Sequence, residues 1–439
     1  MDLFPRLSDA RRLAAVRSAT AVRHPAFGDL SRPGAVRLAS GRRRREAGYR
    51  EADPLFIHLG VTGRCYARCK GCINAAVTHN SKEPRHRLTT QPDMEPERDG
   101  AAVVRLAGLH PEKAVTVCFY GGEPLLVPER IARTAGILDA SPIGGRVRYL
   151  LYTSGELIAA ALERYPELMR RLWLYSVSID GRTRQHDSVR SGTRLERIHR
   201  SLERLAEVRT GPVLQWSTLR EEQSLLDCFR EFLYLEGRGL ASHFFWHWVE
   251  TDEPYRDFPA YLARYERDLK RVLDVCLDRL AAGRPLKIIH LDELLLYLFT
   301  GRRRGTTACG VEAAGNYDLG GGRVFACADL PPELAIGSVA ADGSVELREA
   351  ELARLAGYKE RLGCPECGVE AYCGGRCPVE ALTGTPERLF QYCQLMRLHV
   401  GLVSARREEF RRLLKRRRIS LQALYDRSAF MAAYTDVVP

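Results

Sequence analysis

The feature that most constrains this chain is the stretch Arg64–Cys72, R-C-Y-A-R-C-K-G-C. It sets thiols at Cys65, Cys69 and Cys72 in a C-x3-C-x2-C spacing. The apolar run Leu55-Phe56-Ile57-His58-Leu59 leads straight into it, so the thiols are expected on a loop just beyond a buried strand. Three thiolates fit three of the four irons of a cubane iron–sulfur cluster, leaving one iron open for chemistry. They can also hold zinc, with a fourth ligand from elsewhere. Spacing alone leaves both readings open.

At 439 residues the chain is too long for one small core, and two or three domains are expected. No apolar run approaches membrane-spanning length, and Met1–Arg6 lacks the apolar core of a signal peptide. A cytoplasmic enzyme with no membrane partner is the default expectation. Thirteen cysteines are many for a reducing compartment, where metal ligation is a better reading than disulfides. Cys118, Cys228 and Cys276 fall inside a strand or on helix stripes and read as small buried hydrophobes. The net charge of +12 comes mostly from arginine, with runs at Arg42–Arg45, Arg302–Arg304 and Lys415–Arg418. The runs are scattered and not interleaved with aromatics, which argues for solvated faces and against a nucleic-acid partner.

From 55 to about 250, strand-like and helix-like runs alternate. After the first strand, strands are predicted at Ala114–Phe119, Val147–Tyr152, Leu174–Ile179, Val213–Thr218 and Ser242–Val249, with helices near 99–109, 128–139, 156–171, 193–208 and 221–237. Six such units imply an α/β fold, a partial (β/α)6 TIM barrel with functional residues at the C-terminal strand ends. The expected organisation is an Arg-rich N-terminal extension over 1–54, the barrel over 55–250, bridging helices over 251–305, a cysteine-rich domain over 306–400, and a C-terminal helix and tail over 401–439. The N-terminal extension is expected to cover the barrel's open side or to touch a partner. A basic helix with an apolar stripe is predicted over 394–418.

Polar motifs fall at the predicted strand ends. Tyr120-Gly121-Gly122-Glu123-Pro124 follows the second strand and Thr153-Ser154-Gly155 the third. The fourth ends Ser176-Val177-Ser178-Ile179-Asp180-Gly181, followed by His186-Asp187 and Arg190. Together with the cysteine loop, these motifs resemble the signature of the radical S-adenosylmethionine (radical SAM) superfamily. The resemblance implies that Cys65, Cys69 and Cys72 hold a catalytic [4Fe-4S] cluster. It implies that Gly121, Gly122, Glu123 and Pro124 bind the amino group of SAM, and that Ser154 keeps a polar contact where the family has T-N-G. Ser178 and Asp180 are then expected near the ribose and Arg190 near the methionine carboxylate. His186 and Asp187 read as local capping and hydrogen bonding, and His247 as a histidine satisfied within the core. Gly71 stands where the family often has an aromatic residue against adenine, so Ile73 or the strand end near Leu219 is expected to take that place.

A second cysteine cluster follows: Cys309, Cys327, Cys364-x2-Cys367-x5-Cys373-x3-Cys377 and Cys393. Tyr317-Asp318-Leu319 and Arg323-Val324-Phe325, joined by Gly320–Gly322, read as a hairpin holding Cys327. In isolation Cys364–Cys377 could be a zinc module. With the upstream motifs, the seven cysteines resemble the SPASM extension of radical SAM peptide-modifying enzymes, which carries two auxiliary [4Fe-4S] clusters. By that pattern Cys364, Cys367, Cys373 and Cys393 ligate the outer cluster, and Cys309, Cys327 and Cys377 the inner one. The fourth inner position is left open or filled from a distance, with Glu312 a candidate. Sulfatase maturases of this type carry an aspartate base directly after the residue matching Cys327. Here Ala328 intervenes before Asp329, and one step along a strand reverses side-chain direction, which argues against that activity.

The resemblance implies reductive cleavage of SAM to a 5′-deoxyadenosyl radical, which removes hydrogen from an unactivated C–H bond, with the auxiliary clusters taking up an electron. The function expected is oxidative modification, by crosslinking, of a ribosomally synthesised precursor peptide, supplied with electrons by a reductase, flavodoxin or ferredoxin. No separate leader-binding domain is recognisable. The alternatives are a radical SAM dehydrogenase or rearrangement enzyme acting on a small metabolite, and a zinc-bearing, Arg-rich nucleic-acid-binding protein.

Overall fold

The computed structural model describes residues 2–38, 48–72, 92–313, 315–348, 352–435 and 438–439. The Arg42–Arg45 run and Ile73 lie outside the described residues. Six strands form the barrel wall: β1 (Leu55–Thr62), β2 (Val115–Gly121), β3 (Val147–Thr153), β4 (Leu172–Ser178), β5 (Val213–Leu219) and β6 (His243–Trp248). All neighbours pair in parallel, in the order β6-β5-β4-β3-β2-β1. Both faces of such strands are buried, which is why they read as near-continuous apolar runs. Leu55, Ile57, Leu59 and Val61 face the helices, whereas Phe56 meets Cys118, Leu150, Leu174, Leu214 and Phe245 inside the barrel.

The sheet continues past β1. The expected hairpin forms as β7 (Asn316–Gly320) and β8 (Arg323–Phe325), and β7 pairs in parallel with β1, Asn316 opposite Phe56 and Leu319 opposite Leu59. Two further strands, β9 (Gly337–Val339) and β10 (Val345–Leu347), complete a ten-stranded sheet. Docking the hairpin there satisfies the edge of β1, which would otherwise offer unpaired N–H and C=O groups. The cysteine-rich region is thereby fused to the barrel wall.

The helix predicted over 394–418 is instead two helices, Pro386–Ala405 and Arg407–Arg416. The first starts at a Thr385 cap with Pro386 in its first turn, and nearly every residue along it is buried. A helix enclosed on all sides has no polar face to give it periodicity. The two termini lie at different places. Residues 2–38 cover the cysteine-rich region: the Phe4 ring lies 5.3 Å from that of Tyr358, and Gly34 N donates to Cys367 O at 2.9 Å. The C-terminal segment enters the barrel where its strands begin, with the Tyr434 ring 5.3 Å from Phe56 and 5.4 Å from Trp173. Of the basic runs, Arg304 is inside the protein, donating to Glu293 at 2.5 Å and to Ala308 O at 3.0 Å, so this run is structural. No helix among the described residues is long and apolar enough to cross a membrane.

Candidate active site

The cysteine loop follows β1 and is held by backbone contacts. Gly122 N donates to Thr62 O at 2.8 Å and Glu123 N to Arg64 O at 2.9 Å. A Cβ on Gly121 would stand 2.4 Å from Thr62 O, and one on Gly122 only 2.2 Å from Arg64 O. The paired glycines therefore let the end of β2 lock against the residues that precede Cys65. Asp93 fixes the other side, accepting from Thr62 Oγ1 and from Arg64 Nη2, both at 2.6 Å. Gly71 adopts φ +61°, and a Cβ there would meet Val249 Cγ2 at 2.7 Å. An aromatic residue fits neither that backbone nor that space, which explains the departure at this position.

Cys69 is buried, and Cys65 and Cys72 are half-buried. Burial, with the charges of Glu123, Cys69 and Cys72 adding, pushes the Cys65 thiol up to about 12. Three thiols drawn together in a desolvated loop ionise only when a cation compensates them, and iron bound there supplies that charge. The donor set thus fits a cubane cluster with one iron left open.

Behind the loop is a connected polar shell. Glu123 is 1% exposed and accepts from Thr153 Oγ1 at 2.7 Å, Ser154 N at 2.8 Å and Leu125 N at 3.2 Å. It thereby joins the end of β3 to the turn that starts at Pro124. The Ser154 and Tyr66 hydroxyls share a 2.5 Å hydrogen bond. Ser178 ends β4, half-buried, in register with Trp216. Asp180 departs from the expected ribose contact. It is fully buried and accepts from Arg190 Nε at 2.6 Å, Arg190 Nη2 at 3.2 Å, Arg220 Nη1 at 2.8 Å and Thr218 N at 2.8 Å. Those four bonds use the acceptor capacity of a carboxylate, so Asp180 positions two arginines and faces no ligand. Arg190 in turn reaches Cys69 Sγ at 3.8 Å, and its backbone pairs with Cys69 in a short antiparallel ladder. Arg220, also bonded to Lys70 O, had no motif to mark it; its place just beyond β5 was the available signal.

His186 and Asp187 are local. His186 accepts from Asp180 N at 3.1 Å and bonds Thr193 Oγ1 at 3.1 Å, and Asp187 accepts from Leu195 N at 3.0 Å. His247 is buried, 2.7 Å from Thr218 Oγ1. Cys118, Cys228 and Cys276 are all buried.

Of the remaining cysteines, Cys364, Cys367, Cys373, Cys377 and Cys393 line one cavity of about 30 Å³. The Cys364 thiol is pushed up by burial and then by Cys393, Cys373 and Cys367. Cys377 is pushed up by burial and then by Glu250, Cys327 and Cys309. Cys377 therefore lies near Cys309 and Cys327 and also lines the cavity of Cys364, Cys367, Cys373 and Cys393. Among the described residues, no three His, Cys, Asp or Glu side chains close on a point that would hold a single metal ion. Cysteines spread around a space larger than one ion suit a cluster, whose ligands bind different irons. Glu312 is committed elsewhere, to Thr307 N at 2.5 Å and Thr307 Oγ1 at 2.6 Å. The strand argument about Asp329 does not apply, because β8 ends at Phe325 and Leu330 N closes a turn on Cys327 O at 3.2 Å. Burial raises the Tyr120 hydroxyl strongly, followed by Asp329, Cys72, Asp318 and Cys327. Tyr120, opposite Gly60 on β1, therefore lies near Cys72 of the first cysteine loop and near Cys327, Asp318 and Asp329.

Residues 59–215 match the Radical SAM superfamily, and the chain carries a radical SAM domain. That domain is built as a partial barrel and is followed by a cysteine-rich C-terminal region. The fold of the chain resembles that of anSMEcpe with bound AdoMet, at 15% identity and TM-score 0.59, over 86% of this chain and 98% of that one. The same protein with bound AdoMet and Cp18Cys peptide gives 16% and 0.55, over 83% and 99%. Streptococcus suis SuiB bound to precursor peptide SuiA gives 14% and 0.47, over 78% and 76%. At these identities the likeness is one of fold. No curated protein matches the chain.

Proposed function

We propose that this radical SAM enzyme oxidatively modifies a ribosomally synthesised peptide, by crosslinking. The observation that carries the reading is the position of Tyr120, which lies near both Cys72 of the first cysteine loop and Cys327 of the second cysteine region. A substrate held there meets a SAM site on one side and an electron acceptor on the other. The fold shared with anSMEcpe, solved with a bound peptide, supports a peptide as the occupant.

In this reading Cys65, Cys69 and Cys72 hold the SAM-binding [4Fe-4S] cluster. Gly121, Gly122, Glu123 and Pro124 receive the amino group of SAM, Ser154 and Ser178 its ribose side, and Arg190 its carboxylate, with Asp180 aiming Arg190. Cys364, Cys367, Cys373 and Cys393 hold the outer auxiliary cluster, and Cys309, Cys327 and Cys377 the inner one. Bound there, the clusters and SAM supply one-electron and hydrogen-abstracting chemistry, while the protein orients substrate and keeps water out. A flavodoxin- or ferredoxin-type protein supplies the electron.

Co-expression with short candidate precursor peptides tests the reading by mass spectrometry. A loss of about two hydrogens per new bond is the expected mass change of an oxidative crosslink. An unmodified peptide, together with 5′-deoxyadenosine formed only with a small metabolite, would overturn the peptide assignment.

A further inference from the structure

The two auxiliary neighbourhoods differ in charge. Around the outer set the nearby groups are cationic. Arg397 is 3% exposed and donates through Nη2 to Cys367 Sγ at 3.3 Å, while its Nη1 is fixed on Leu30 O at 2.7 Å and Ser31 O at 3.2 Å. Arg17, whose guanidinium lies 4.8 Å over the Phe390 ring, and Arg376 also act on Cys393. Of the carboxylates that line this cavity, Glu370 pairs with Lys359 at 2.8 Å and Arg303 at 3.1 Å, and Glu380 is buried, which raises its carboxyl to about 7 despite the nearby charges of Arg376 and Arg388. Around the inner set the nearby groups are anionic. Glu250 bears on Cys377, and Asp329 and Asp318 on Cys327. Arg376, 3.9 Å from Glu250, stands between the two sets, whereas Arg397 and Arg17 bear on the outer set, and Arg397 donates to one of its sulfurs.

Adding an electron to a thiolate-bound cluster adds negative charge. Buried cations and N–H···S bonds stabilise the reduced form and raise the potential, and buried carboxylates lower it. At low dielectric these contributions are strong. We propose that the outer auxiliary centre is the higher-potential member of the pair, and that Arg397 is the positioning residue that raises it. An electron delivered to the inner centre then passes outward, the inner centre being oxidised by one electron as the outer is reduced by one. The inference rests on the cluster assignment proposed above.

The test is a redox titration followed by electron paramagnetic resonance. It uses the reconstituted full chain carrying Cys65→Ala, Cys69→Ala and Cys72→Ala, so that only auxiliary signals remain. Arg397→Met is expected to shift the higher of two midpoints negative by about 59 mV or more, tenfold in one-electron partition. Arg397→Lys restores part of the shift. Asp329→Asn raises the lower midpoint and leaves the higher one in place. Should Arg397→Met fail to load iron, Arg17→Met lowers the same midpoint with Arg397 intact. The ordering is overturned if Arg397→Met moves the lower midpoint, and the role of Arg397 if neither arginine variant moves any. Iron and sulfide sufficient for fewer than two auxiliary clusters would instead sink the cluster assignment, and the inference with it.

Discussion

Replacing Asp180 with asparagine removes one charge without changing shape, and the consequences can be worked from its four hydrogen bonds. In the native protein burial opposes ionisation of Asp180, but Arg190 and Arg220 overcome it and hold the carboxyl far below the ordinary carboxylate range. Arg190 and Arg220 are 11% and 4% exposed in their side chains, so solvent screens the pair little. Asparagine offers one acceptor oxygen and turns an NH2 group toward a guanidinium. Breaking a buried pair by removing one partner costs about 3–5 kcal/mol, because the other charge remains buried. A folded-state pKa depressed below the unfolded value gives stability that is complete above about pH 4 and lost as pH falls through the folded value. At pH 7 the full difference should therefore be read. Urea unfolding of wild type and Asp180→Asn at matched iron content is expected to show a lower midpoint for the variant. Adding Arg220→Met should recover part of the loss, because the stranded charge goes with it. If Asp180→Asn costs under about 1 kcal/mol, or if the two substitutions simply add, the clamp is not what holds this end of the barrel.

Gly122→Ala places a Cβ 2.2 Å from a backbone oxygen that cannot turn away, so reconstituted variant is expected to bind about four fewer iron atoms, one cluster's worth, by iron analysis. His186 is pushed down to about 4, by burial first, so it stays neutral in the fold while the unfolded chain takes up a proton below its ordinary pKa of about 6.5. Stability should therefore fall as pH drops from about 6.5 toward 4, and His186→Asn should flatten that slope in denaturation curves measured across the window. Tyr434→Ala removes a ring that is 1% exposed and lies between Phe56 and Trp173, with a cost of about 3–5 kcal/mol expected in thermal or urea unfolding.

The barrel strands were legible because parallel strands buried on both faces write themselves as short apolar runs. The predicted Val147–Tyr152 is one residue short of the observed Val147–Thr153. The first cysteine loop was legible because Cys65, Cys69 and Cys72 are close in sequence and follow an apolar strand. What was hidden depends on partners far apart in the chain. Asp180 meets Arg220 forty positions away, and a polar residue in a motif looks the same whether it faces a ligand or a guanidinium. The union of β7 with β1 joins segments some 260 residues apart and leaves no trace in either. Only the second half of the helix Pro386–Ala405 was read, within the predicted 394–418, since near-complete burial erases the period that marks a surface helix. Residues Ser428–Tyr434 are too short and irregular to show that they fill the barrel.

The spacing between the cysteine groups is set mainly by backbone contacts. Val249, just past β6, packs its side chain where Gly71 has none, and its carbonyl accepts from Arg388 Nη2 at 2.7 Å. Arg388 lies on the same buried helix as Cys393, so one residue couples the first cysteine loop to the helix behind the outer group. Arg376, next to Cys377, donates to Trp248 O at 3.2 Å and ties the inner group to the same strand end. Reactive centres that must be held to within fractions of an ångström are best placed on such rigid supports. Enlarging the Val249 side chain should therefore disturb the Gly71 turn, and Arg388→Met should loosen the helix that carries Cys393, each read as iron lost on reconstitution.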